Sequence, residues 1–112
     1  DVDSLIETPN DVHAGEIETS TSLAIRPHLV HMDRLQREVP AFTSRYLDFT
    51  SKRGVSWYAH TDKISASGVM GDPTKASVEK GEKMWELMIA HLVIFVEQLK
   101  TMTLKEIYQR KY

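Results

Sequence analysis

At 112 residues the chain is enough for one small domain, and 41% hydrophobic with 27% charged residues excludes a disordered segment. A formal charge of −2, with no Lys/Arg runs, excludes the electrostatic footprint of a nucleic-acid binder. Cysteine is absent, so disulfides and thiolate metal ligands are excluded, and no apolar segment reaches the roughly 18–20 residues that span a bilayer.

The first stretch, DVDSLIETPN, is acidic and lacks the basic, then apolar, start of a signal peptide. It also lacks an initiator Met, so the chain is expected to have been processed or to begin at an internal point. A soluble, cytoplasmic protein is the resulting expectation. Residues 1–15 read as a polar loop punctuated by Pro9 and Gly15, with a short strand at Val2–Ile6. From Glu16 to Arg26 a helix is predicted, because Ile17, Thr21, Ala24 and Ile25 share one face. Pro27 ends it, although the Thr-Ser-Thr-Ser run from Thr19 to Ser22 is rich in weak helix formers.

Turns are expected at Val39-Pro40-Ala41 and Lys52-Arg53-Gly54, and a strand at Val55–Ala59 from its β-branched and aromatic content. Ser65 to Pro73, with two glycines and a closing Asp-Pro, reads as a loop. The strongest pattern follows. Asp72 is the expected N-cap and Pro73 the first helical residue. Gly81, Met84, Trp85, Met88, Ile89, Leu92, Val96 and Leu99 then recur at three- and four-residue steps. They predict a helix over 73–100, about 40 Å long, with this stripe as core and Lys80, Lys83, Glu86 and Glu97 on the solvent face. One long helix, one shorter helix and one or two strands leave few elements to cover such a stripe, so the chain is expected to be part of a larger fold.

His13, Glu16 and Glu18 crowd one short segment. Imidazole and carboxylate are the ligands expected for Zn, Mn or Fe without cysteine, and the usual general bases of amide hydrolysis. Gly15 would let the backbone approach a substrate or metal closely. Two residues apart on a helix, Glu16 and Glu18 point about 200° from each other and cannot serve one site together. Spacing by itself favours a capped helix start with solvated acids. His28, His31 and His91 read as surface residues, and His60 with Asp62 as a polar strand end. Trp57, beside Tyr58, is the aromatic that could line a pocket and is taken with Gly15 as substrate-binding. No phosphate loop, nucleophile elbow or H-E-x-x-H is present.

HAGEIETSTSLAIRPHLV, from His13, resembles the H-[AG]-G-x-x-E-T-S-x-x-L-A-L-x-P-x-L-V segment of the creatininase (creatinine amidohydrolase) family. GDPTKASVEKGEKM, Gly71 to Met84, resembles the loop and A-[ST]-x-E-K-G pattern that lead into that family's final helix. The resemblance covers residues from about 8 to 100. Family members are longer chains folded as three-layer α/β/α sandwiches. It therefore implies that residues 1–112 are the C-terminal part of one such domain, ending in a long amphipathic helix. The N-terminal part would lie in a companion chain or segment.

The resemblance also implies two divalent metal ions, held mostly by residues outside this chain, and cleavage of an amide-type C–N bond by a metal-activated water. His13 matches the histidine beside the attacking water, implying proton transfer, and Glu18 matches the glutamate of the E-T-S motif, implying a metal ligand. Glu16 falls at a position the family pattern does not fix, which makes it a bystander. Creatinine-hydrolysing members carry Trp-Asp-x-Glu just before the histidine. Pro9-Asn10-Asp11-Val12 stands there in this chain and points to a different small-molecule substrate. Assembly of the complete unit into a homo-oligomer is implied as well, and neither nucleic acid nor membrane is an expected partner. The alternative function is a non-catalytic structural subunit, or a proteolytic fragment, that completes the fold of a companion chain.

Overall fold

The computed structural model describes residues 1–41 and 59–109. The first turn is a 3₁₀ helix, Val2–Leu5, where a strand was expected. Local polar side chains decide this. The Asp1 carboxylate accepts the Asp3 N–H, and the Ser4 hydroxyl donates to the Asp1 carbonyl, which closes a turn in place of an extended run. After the loop through Gly15 comes α1, Glu16–Ile25, ended by Pro27 as expected. Two single 3₁₀ turns follow, Pro27–Leu29 and Met32–Arg34. The helix α2, Thr61–Ile64, is one turn long and leads into the Ser65–Pro73 loop.

The long helix starts later than its pattern suggests. Asp72 and Pro73 do open a helical turn, but it is a 3₁₀ turn of three residues, Pro73–Lys75, with the Asp72 carboxylate accepting from Thr74. Ala76 and Ser77 are extended, and α3 runs Val78–Lys100 with Ser77 as its cap, the Ser77 hydroxyl accepting the Lys80 N–H. Two cap-competent residues lie five apart, and packing selects the second. The Ser77 N–H donates to the buried Ser20 hydroxyl of α1, so the chain is pinned to α1 where α3 begins. A short α4, Leu104–Gln109, closes the described chain.

α1 against α3 is the principal packing, and it is built on small residues. A Cβ on Gly81 would fall 2.0 Å from the Ser20 carbonyl oxygen and 2.9 Å from the Ala24 Cβ, so the two backbones touch there. The same contact accounts for the Thr-Ser-Thr-Ser run. Thr19 and Ser20 are buried, Ser20 against the start of α3, and the Thr21 carbonyl accepts the Trp85 indole N–H at 3.0 Å. Among the described residues the buried apolar core is Leu23, Met70 and Met84.

The predicted core stripe is therefore only half realised. Gly81 and Met84 are buried and Trp85 half-buried, but Met88, Ile89, Leu92, Val96 and Leu99 are exposed, as are Val93, Ile94 and Phe95 between them. Length explains it, because the ten residues of α1 reach about 15 Å along the roughly 35 Å of α3. No sheet forms among the described residues; strand-like pairing is confined to the isolated antiparallel bridges His13–Met70 and Glu38–Gly71. The expected α/β/α sandwich is not seen among the described residues, which form helices and these two bridges, while the Val55–Tyr58 part of the expected strand and the Lys52-Arg53-Gly54 turn lie outside the described residues. No described helix is long and apolar enough to cross a membrane.

Candidate active site

The segment Asp11–Gly15 is held between α1 and the Met70–Gly71 backbone. Val12 and His13 both direct their N–H groups to the Met70 carbonyl, and the Met70 N–H returns to the His13 carbonyl at 2.8 Å. Asp11 does the capping that Gly15, at the formal N-cap position, cannot. Its two carboxylate oxygens accept the Glu16 and Ile17 N–H groups at 2.7 and 2.9 Å. Asp11 lies five residues before the first residue of α1, and a carboxylate that accepts from so far back lies outside the local capping rule.

Gly15 and Gly71 abut. A Cβ on Gly15 would lie 1.8 Å from an Asp11 carboxylate oxygen and 3.0 Å from the Gly71 Cα. The close approach that glycine permits is thus made by the chain's own Asp11 and Gly71, and Gly15 itself is buried. Ala14 adopts φ +50°, a left-handed conformation uncommon for a residue with a Cβ. That turn aims the Ala14 N–H at the Glu18 carboxylate at 2.5 Å.

His13 and Glu18 meet at the surface end of this loop. The His13 Nδ1 lies 3.4 Å from Glu18 Oε2, and both side chains are more than half exposed. Glu18 also lines an open cleft of roughly 440 Å³ bounded by α1, the segment after Pro27 and the Val69–Pro73 turn. Glu16 points the other way, as the helical spacing requires, but it is not solvated. It is fully buried, and its carboxylate accepts the Thr8 N–H at 2.8 Å, the Thr8 hydroxyl at 2.6 Å, the Glu7 N–H and the Lys80 ammonium. Burial alone would raise the Glu16 pKa. The Lys80 and Thr8 side-chain bonds and the Glu7 and Thr8 amides outweigh it, and the net shift is downward. For Lys80 burial would lower the pKa, yet Glu16 and Glu7 together raise it. Lys80, expected on a solvent face, instead ties α3 to the loop that carries the site, and Glu16 is a structural anchor in place of a bystander.

The rest of the frame is also charged and bonded. The Arg37 Nε donates to the buried Asp72 carboxylate at 2.9 Å. Glu38 accepts the Ala66 and Ser67 N–H groups and the Ser67 hydroxyl; chiefly the Ser67 bonds hold its pKa down at about 2. His28, His31 and His91 are exposed, in keeping with their reading as surface residues, whereas His60 and Asp62, expected at a strand end, cap and open the helix α2. Trp57 lies outside the described residues. Among the described residues no three His, Asp or Glu side chains gather as a metal site. His13 and Glu18 make an imidazole–carboxylate pair, which suits part of a divalent-metal centre and falls short of a whole one.

A family model described as creatinine amidohydrolase matches residues 2–96. The chain is 35% identical over 79 residues to a mycofactocin precursor peptide peptidase from Mycobacterium ulcerans (strain Agy99), a match covering 70% of this chain and 29% of that protein. Its fold is similar to a solved candidate creatinine amidohydrolase from Bacteroides fragilis NCTC 9343, with TM-score 0.77 and 27% identity over 91% of this chain and 40% of that one. It is also similar to a mutant creatininase described as Zn-Zn type, with TM-score 0.58 and 30% identity over 77% of this chain and 30% of that one. The chain spans well under half the length of each of these relatives.

Proposed function

This chain belongs to the creatininase (creatinine amidohydrolase) family, and on that premise we propose that it forms one edge of the active site of a metal-dependent hydrolase that cleaves an amide-type C–N bond. The observation that supports the reading is the His13–Glu18 pair, 3.4 Å apart and open to solvent beside a cleft. Glu18 would serve as a ligand and His13 as the proton-transfer group, with the remaining ligands supplied from outside this chain. A bound divalent ion, zinc by analogy with the Zn-Zn relative, would supply Lewis acidity and make a water acidic enough to attack a carbonyl near neutral pH.

The chain's own residues do the rest. The Ala14 N–H fixes one Glu18 oxygen and so orients the carboxylate. His13 is anchored through its backbone to Met70, which leaves its ring to accept a proton from the nucleophile and return it to the leaving nitrogen. Gly15 keeps the loop tight against Gly71, and Trp57 is carried as a substrate contact within the same proposal. In the full-length protein, His13→Ala should keep its metal content and lose most turnover; near wild-type activity would remove the proposed role. Glu18→Ala should lower metal stoichiometry, and an unchanged metal analysis would sink the ligand assignment.

A further inference from the structure

The cleft beside Glu18 carries a second feature that the amide-hydrolase reading does not use. α1 contributes Glu18, Thr19 and Ser22 to its lining, and the segment after Pro27 contributes His31 and Arg34. His31 caps the 3₁₀ turn Met32–Arg34 and Arg34 ends it, the Arg34 N–H donating to the His31 carbonyl at 2.9 Å. That bond closes the turn, so His31 and Arg34 stand at its two ends, both on the lining of the one cleft.

Arg34 is exposed, and among the described residues it makes no ion pair. Arg37, three residues on, is already bound to Asp72, and Glu18, a carboxylate of the same cleft, is engaged by His13 and the Ala14 N–H. Opposite charges therefore line one cleft without touching. A guanidinium fork matches the two oxygens of a carboxylate or phosphate.

We propose that Arg34, with His31 beside it, binds an anionic group of the substrate, a carboxylate or a phosphate, in the cleft that Glu18 also lines. The proposal rests on the amide-hydrolase reading for what stands at the other end of the ligand, but the anion site is testable without turnover. The experiment follows the melting temperature of the full-length, metal-free protein against inorganic phosphate and against acetate at fixed ionic strength. A saturable rise is expected with at least one of them. Its midpoint should move about ten- to hundredfold to higher concentration in Arg34→Gln, and less in Arg34→Lys, which keeps the charge without the fork. A response to phosphate alone assigns a phosphorylated substrate, and a response to acetate assigns a carboxylate.

No saturable rise with either anion overturns the proposal, and so does an unchanged midpoint in both Arg34 variants. His13→Ala separates the two readings, because it should keep the anion response while losing turnover. Loss of the response with activity intact condemns the anion site alone. Activity intact in His13→Ala with the response retained condemns the catalytic reading alone.

Discussion

Removing the Lys80 ammonium, as in Lys80→Met, would leave the Glu16 carboxylate fully buried without its cation. Breaking a buried ion pair by deleting one partner costs about 3–5 kcal/mol. Two features reduce that figure here. Glu16 keeps its bonds from Thr8 and Glu7, and the Lys80 side chain is 21% exposed, so water reaches its end of the pair. A loss of about 2–3 kcal/mol is the resulting expectation, a large fraction of the 5–15 kcal/mol that ordinarily holds a domain together.

The sign with pH is fixed by the same network. In the wild type the Glu16 pKa is lowered from 4.5, so the stability it contributes is present above 4.5 and fades as pH falls through its folded pKa. The Lys80 pKa is raised from 10.5, and its contribution fades only as pH rises above that value. With Lys80 gone burial is less opposed, Glu16 takes up a proton more readily, and the penalty should shrink at pH 4 relative to pH 7. Urea unfolding of full-length wild type, Lys80→Met, Glu16→Gln and the double variant at both pH values tests this as a cycle. A coupling below about 0.5 kcal/mol at pH 7, or a Lys80→Met penalty that does not change with pH, would refute the reasoning.

Gly81→Ala should destabilise by about 2–3 kcal/mol by thermal melting despite alanine's better helix propensity, because its Cβ would collide with the Ser20 carbonyl at 2.0 Å. Ala14→Gly should be neutral or stabilising by up to about 1 kcal/mol, since glycine accepts φ +50° without a Cβ penalty. Gly15→Ala, one residue on, should cost about 2 kcal/mol or more and lower turnover by displacing the Asp11 cap, so a pair of equal effects in urea melts would contradict the backbone account. The isolated 112-residue chain should self-associate and bind a hydrophobic dye through Ile89, Leu92 and Phe95, and a monodisperse monomer without dye binding in sedimentation would count against an uncovered stripe.

Much of the local structure was legible in the sequence. Pro27 ended α1 because its ring cannot continue the ladder, and the apolar period marked α3 through Leu99. The opposed directions of Glu16 and Glu18 followed from helical geometry alone, and the family followed from the two motifs at His13 and Gly71. Local rules failed wherever the deciding partner was distant. Ser77 displaced Asp72 as the cap of α3 because Ser20, 57 positions away in sequence, binds its N–H. Glu16 changed from solvated acid to buried anchor because Lys80, 64 positions away, supplies the countercharge.

Gly15 and Gly81 show the same division. Their lack of a side chain was visible from the start, but what fills the space, Asp11 and Gly71 in one case and the Ser20 carbonyl in the other, depends on how α1, α3 and the loops meet. Hydrophobic period and proline act within a few residues, and one sequence therefore determines them. Caps, countercharges and backbone contacts are selected by whichever distant group packing delivers, and only the tertiary structure decides those.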